Sequence, residues 1–257
     1  MIGVFDSGIG GLAVLGFLRA AHPTTDLLYY ADTARLPYGG RSPALIRRFA
    51  REAGRLFSEW GADYVQVACG TVSSVALDEF AASANRPVSG VVRPVVSEIV
   101  RDGRRRVLIL STEATARSRV FETALATASP GISSLSLGCP LFVPLVENGY
   151  LSRNDPALLS IVGRTLAPGQ TFFPDAILLG CTHFRLLSPL ISSLFPGVPV
   201  YDCGEAAARA VPKEFCAGAG TLRVLVSDDP ERFRRIASLS GSLSPGVPVG
   251  SVADELR

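Results

Sequence analysis

Five short apolar runs dominate the pattern of this chain: Ile2–Phe5, Leu27–Tyr30, Tyr64–Ala68, Val107–Leu110 and Ala176–Leu179. Each is too short for a buried helix, carries little charge, and ends at a polar or small residue, which reads as a strand buried on both faces. Between them lie longer amphipathic stretches. Gly11–Ala21, Pro43–Trp60, Ser73–Ala84 and Thr115–Ala128 read as helices. In the second, Leu45, Phe49, Ala53, Leu56 and Trp60 recur at helical spacing and are expected on the core side. Strand–helix alternation of this kind predicts an α/β chain with largely parallel sheets.

Open parallel sheets gather ligands outside the carboxyl ends of their strands. That rule selects Asp6-Ser7-Gly8, Asp32-Thr33, Cys69-Gly70-Thr71, Ser111-Thr112 and Cys181-Thr182-His183. Two of these turns echo each other. Val67-Ala68-Cys69-Gly70-Thr71 and Leu179-Gly180-Cys181-Thr182-His183 are both an apolar strand, a small residue, a cysteine and a threonine-containing turn. Two such units facing each other would put one thiol on each side of a cleft. The Gly/Ser/Pro-rich stretch 238–251 reads as a loose connection.

Composition narrows the function. With 25 basic and 23 acidic residues among 257, the net charge of +2 selects neither nucleic acid nor an acidic membrane surface. The Arg104-Arg105-Arg106 cluster, just before an apolar run, reads as a solvated helix end or turn rather than a phosphate patch. No apolar run is long enough to span a bilayer, and the start lacks the basic and extended apolar regions of a signal peptide, so the expected location is cytoplasmic. Five cysteines, an odd number without a C-x-x-C pair, argue against a zinc site or a disulfide framework. Cys139, Cys203 and Cys216 read as small buried hydrophobes.

Cys69 and Cys181 suit a different task. Inverting a carbon centre requires a proton to leave one face and another to arrive at the opposite face. A thiol, with a reference pKa of about 8.5, is tunable for that exchange. His183, two residues from Cys181, and Asp6, at the end of the first strand, are candidates to set the protonation of the thiols. The run Asp6-Ser7-Gly8-Ile9-Gly10-Gly11 matches neither a dinucleotide fingerprint nor a Walker A loop. It reads as a tight turn whose freed N–H groups hold a carboxylate. Ser7 and Thr71 are either hydroxyl donors to a ligand or helix caps. Pro37-Tyr38-Gly39-Gly40 reads as a turn.

Taken together, the ordered motifs resemble those of glutamate racemases. The resemblance rests on Gly3-Val4-Phe5-Asp6-Ser7-Gly8-Ile9-Gly10-Gly11-Leu12, on Tyr30-Ala31-Asp32-Thr33-Ala34-Arg35-Leu36-Pro37-Tyr38-Gly39, on Val143-Pro144-Leu145-Val146-Glu147-Asn148-Gly149 and on Leu178-Leu179-Gly180-Cys181-Thr182-His183-Phe184. It implies two α/β domains around a cleft, residues 1–95 with 207–257 and residues 96–206. It also implies interconversion of L- and D-glutamate without pyridoxal phosphate or metal, feeding D-glutamate to peptidoglycan, and a homodimer.

By that resemblance Cys69 handles the α-proton of the D-isomer and Cys181 that of the L-isomer. Asp6 and His183 assist them, and Asp32 and Glu147 are further acidic members of the site. Ser7, Pro37, Tyr38, Gly39, Gly70, Thr71, Thr112 and Thr182 would line the substrate. Gly70 departs from the pattern, which has asparagine there; loss of that polar contact is expected to cost about 1–3 kcal/mol. Arg185 replaces the usual proline. Two other readings stand beside this one: a racemase of another acidic amino acid such as aspartate, and a weakly catalytic relative that acts by binding protein, as in gyrase inhibition.

Overall fold

The computed structural model describes residues 1–244 and 246–255. The five expected strands form, as β1 (Ile2–Asp6), β2 (Leu27–Ala31), β3 (Tyr64–Val67), β5 (Arg106–Ser111) and β7 (Ala176–Leu179). Five shorter or less apolar strands join them: β4 (Val88–Ser89), β6 (Ser133–Gly138), β8 (Val200–Asp202), β9 (Leu222–Val226) and β10 (Val249–Ser251). They build two sheets, of order β10-β9-β2-β1-β3-β4 and β6-β5-β7-β8. Every described ladder is parallel.

Helices cover both faces of each sheet, as parallel strands demand. They include α1 (Leu12–Ala21), α2 (Pro43–Glu59), α3 (Gly70–Val75), α4 (Leu77–Ala84), α5 (Val92–Arg101), α6 (Glu113–Ser118), α7 (Val120–Ala128), α8 (Phe142–Glu147), α9 (Pro156–Phe172), α10 (Ser188–Leu194), α11 (Cys203–Arg209) and α12 (Pro230–Leu239). On one face of the first sheet, Phe5, Leu28 and Tyr30 pack with Phe57 of α2 and Phe80 of α4. On the other face, Val4 and Tyr29 belong to a core that runs without a break to Leu108, Leu110, Ile177 and Leu179 of the second sheet. The two sheets are therefore joined through apolar packing as well as through the chain.

Several expectations need correction. Helix 73–84 is two helices broken at Ala76, whose φ of −149° leaves the helical region. Helix 115–128 is two helices joined by Arg119 in the left-handed region at φ 54°. The buried stripe of α2 is Ile46, Phe49, Ala50, Ala53, Gly54 and Phe57; Leu45, Leu56 and Trp60 flank it. Stretch 238–251 is not a simple connection: it opens in the last turn of α12 and closes as β10, which pairs with β9; Pro245 lies outside the described residues. The arginine cluster does lie in the solvated segment after α5, as expected, with Arg104 on the Tyr201 hydroxyl and Arg106 on the carbonyls that end α9.

The topology singles out one place. The first sheet reverses its strand order around β1, and the second around β5. Residues following β1, β3, β5 and β7 therefore converge at two facing switch points, where parallel sheets leave a crevice.

Candidate active site

A narrow cleft lies between the two sheets. Asp6, Ser7, Pro37, Tyr38, Gly39, Cys69, Gly70, Thr71 and Thr112 line it together with Cys181, Thr182 and His183. Val143, on α8, completes the wall and was not singled out from sequence, although it opens the Val143–Gly149 motif. Both thiols are buried, at 4% exposure for Cys69 and 6% for Cys181. Cys69 comes from the first half, after β3, and Cys181 from the second, after β7.

Each thiol has its own polar neighbour. Cys69 Sγ lies 3.8 Å from Ser7 Oγ. Burial, reinforced by the charge of Asp6, pushes the Cys69 thiol up to about 12, against the pull of the Val72 N–H at the start of α3. Asp6 is fully buried, accepts hydrogen bonds from Gly8 N (3.0 Å) and Thr182 Oγ1 (3.0 Å), and has its pKa raised by that burial, against the opposing charge of His183. Cys181 Sγ lies 3.9 Å from His183 Nδ1, and His183 Nε2 meets Glu147 Oε1 at 2.6 Å. Burial alone would lower the His183 pKa. The hydrogen bonds with Cys181 and Glu147, and the charge of Glu147, outweigh it and hold the imidazole well above its usual value. Burial likewise pushes Glu147 up, but His183 wins and its carboxylate is held below the usual range.

Two expected members stand outside the cavity lining. Asp32 accepts from Arg35 Nε (2.6 Å), from Ser227 Oγ (2.9 Å) and from the Tyr38 hydroxyl, so its carboxylate stands behind Tyr38. It fixes the wall of the cavity rather than facing its contents. Glu147 reaches the cavity only through His183.

The glycine turn holds carboxylates, as expected, but they are the protein's own: Gly8 N binds Asp6 and Ile9 N binds Glu147 at 3.0 Å. Side chains are excluded there because a Cβ on Gly8 would lie 2.2 Å from Glu147 Oε1 and one on Gly10 2.5 Å from His183 Nδ1. Ser7 and Thr71 cap no helix: neither Gly11 nor Cys69, the residues at the N-caps of α1 and α3, is joined by a side-chain cap. Thr71 Oγ1 instead meets Thr112 Oγ1 at 2.9 Å across the crevice. Ala114 N donates to Gly39 O at 2.9 Å across the same gap. The two halves thus meet through a ring of polar contacts around the thiols. Arg185 forms part of the outer shell, stacking on Phe17 and binding Asp202 and Glu205. Among the described residues, no His/Cys/Asp/Glu group is arranged to hold a metal ion, and no helix is long and apolar enough to cross a membrane.

A family model described as Asp/Glu/Hydantoin racemase matches residues 16–211. The glutamate racemase of Aquifex aeolicus (strain VF5) is 38% identical over 241 residues, covering 93% of this chain and 92% of that protein. The crystal structure of glutamate racemase from Francisella tularensis subsp. tularensis SCHU S4 in complex with D-glutamate superposes with a TM-score of 0.88 at 27% identity, covering 97% of this chain and 95% of that one. The structure of glutamate racemase from Thermus thermophilus in complex with beta-chloro-D-alanine gives a TM-score of 0.80 at 37% identity, covering 98% and 97%.

Proposed function

This chain belongs to the Asp/Glu/Hydantoin racemase family, and within it to the glutamate racemases, and on that premise we propose that it interconverts L- and D-glutamate with Cys69 and Cys181 as the two proton-transfer groups. The observation that carries the proposal is that two buried thiols, one from each half, line the same small cavity. In the L-to-D direction, Cys181 as thiolate takes the α-proton. The planar carbanion then receives a proton on its other face from the Cys69 thiol, which burial keeps protonated. The sulfurs exchange charge states in each turnover, and the reverse direction runs the same transfers backwards. His183, anchored by Glu147, is the proton partner of Cys181, and Asp6 serves the Cys69 side.

Ser7, Thr71, Thr112 and Thr182 present polar atoms to the charged ends of the substrate, with Pro37, Tyr38, Gly39 and Gly70 shaping the wall. Asp32 acts by positioning Tyr38. We place the two halves in two domains, 1–95 with 207–257 and 96–206, acting in the cytoplasm as a homodimer that supplies D-glutamate for peptidoglycan.

Purified protein without added cofactor is expected to convert L-glutamate to D-glutamate, read by chiral chromatography, and to incorporate solvent deuterium at Cα. Aspartate run alongside decides the substrate. Faster turnover of aspartate replaces glutamate as the substrate, and no turnover of either amino acid overturns the enzymatic reading in favour of protein binding.

A further inference from the structure

Immediately beside the two thiols, the halves approach each other backbone to backbone. A Cβ placed on Gly70 would lie 2.2 Å from the carbonyl oxygen of Gly180 and 3.5 Å from Cys181 Cα. Gly70 follows Cys69 and Gly180 precedes Cys181, so this contact is immediately beside both sulfurs in the chain. The missing side chain at 70 is therefore not simply a lost polar contact, since in this arrangement no side chain has room.

Each partner is anchored to its own sheet. Gly180 is tied by its N–H to Leu110 O at 2.8 Å, and a Cβ on Gly180 would itself lie 2.7 Å from the buried ring of Phe121. On the opposite side, α3 is tied to the first sheet by Ser73 Oγ, which donates to Val67 O at 3.1 Å and accepts from Val91 N at 3.2 Å. Atoms at 2.2 Å from backbone cannot be relieved by a rotamer change. Relief must come from the two halves moving apart as bodies.

We propose, resting on the racemase reading above, that Gly70 is a positioning residue: by seating α3 on the Gly180 carbonyl, it sets how far the halves close and hence how closely Cys69 and Cys181 flank the substrate carbon. A methyl at this position holds the cleft ajar. Displacements of about 1 Å in a reacting geometry cost up to about a hundredfold in rate.

The test is Gly70→Ala, with Gly16→Ala as a control, because a Cβ on Gly16 has no neighbour within 4 Å. Gly70 lies outside the left-handed region, so alanine adds no backbone strain there. The variant is expected to fold with a Tm within about 3 °C of the parent. Its kcat should fall about tenfold in both directions with a smaller change in KM. A crystal structure of the variant should show the Cys69–Cys181 sulfur separation widened by about 1 Å. Turnover within twofold of the parent, an unchanged sulfur separation, or a large drop in Tm would each overturn the inference. The sulfur separation is read without substrate, so it tests Gly70 even if the parent protein fails to racemise glutamate and the functional reading falls.

Discussion

Cys181→Ala is expected to lower glutamate racemisation by about 10³-fold or more, and Cys69→Ala by as much. At about 1.4 kcal/mol per decade, this corresponds to at least about 4 kcal/mol of lost transition-state stabilisation, too large for a packing effect on a small cavity wall. The two variants differ in what survives. With Cys181 intact, Cys69→Ala retains a base on the L-face and is expected to exchange the α-hydrogen of L-glutamate with solvent deuterium, without inversion. Cys181→Ala retains the corresponding exchange for D-glutamate. NMR of each isomer in D₂O, with chiral chromatography of the recovered product, reads both quantities. Racemisation at the parental rate by either variant would refute the two-thiol mechanism, while exchange of the opposite isomer by each variant would refute the assignment of faces.

Glu147→Gln is expected to reduce kcat by about a hundredfold, although the residue does not line the cavity. Its carboxylate holds His183 Nε2 at 2.6 Å, orienting the ring so that Nδ1 faces Cys181 Sγ. Glutamine keeps the size and one hydrogen bond but removes the charge that helps raise the imidazole's pKa. In the variant, His183 should lose its proton at lower pH, and the alkaline limb of the kcat profile should move in that direction. A purely structural role for Glu147 predicts lower kcat with an unmoved profile.

The same pair shapes stability. The folded pKa of His183 is raised, so its contribution is full below the unfolded value near 6.5 and is lost as pH rises through the raised value. The folded pKa of Glu147 is lowered, so its contribution is present above about 4.5 and is lost as pH falls through the lowered value. Denaturant midpoints measured across pH should show both losses in the parent and a much weaker dependence in Glu147→Gln.

The parts of this molecule that could be read from sequence follow a physical division. Strands buried on both faces announce themselves as short, largely apolar runs, which is why β1, β2, β3, β5 and β7 were evident. The edge strand β6 reads Ser133-Ser134-Leu135-Ser136-Leu137-Gly138 and is only half buried, so its composition resembles a loop. β9 carried a signal, Leu222–Val226, but sits far along the chain from β2, with which it pairs. The breaks at Ala76 and Arg119 involve neither glycine nor proline, so nothing local marks them; tertiary packing sets them.

In the site, the residues after strand ends converge because the parallel topology dictates it. The Glu147–His183 pairing spans 36 residues between separate elements, and only the family resemblance pointed to Glu147. The position of Asp32 behind Tyr38 depended on Arg35 and on Ser227, the latter at the far end of the chain. No spacing rule could have supplied it.

The place of β9 in the first sheet also bears on biogenesis. β2 lies between β1 and β9, and β9 registers Leu27 against Leu222 and Tyr29 against Val224. During synthesis the second sheet, whose last strand ends at Asp202, can close while β2 still presents an open edge of apolar main chain. That edge stays unpaired until residues beyond 222 have left the ribosome, a delay of about a few tens of seconds at the slower rates of translation. The nascent chain is therefore most exposed to misassociation along β2, until β9 arrives as the clasp that covers it.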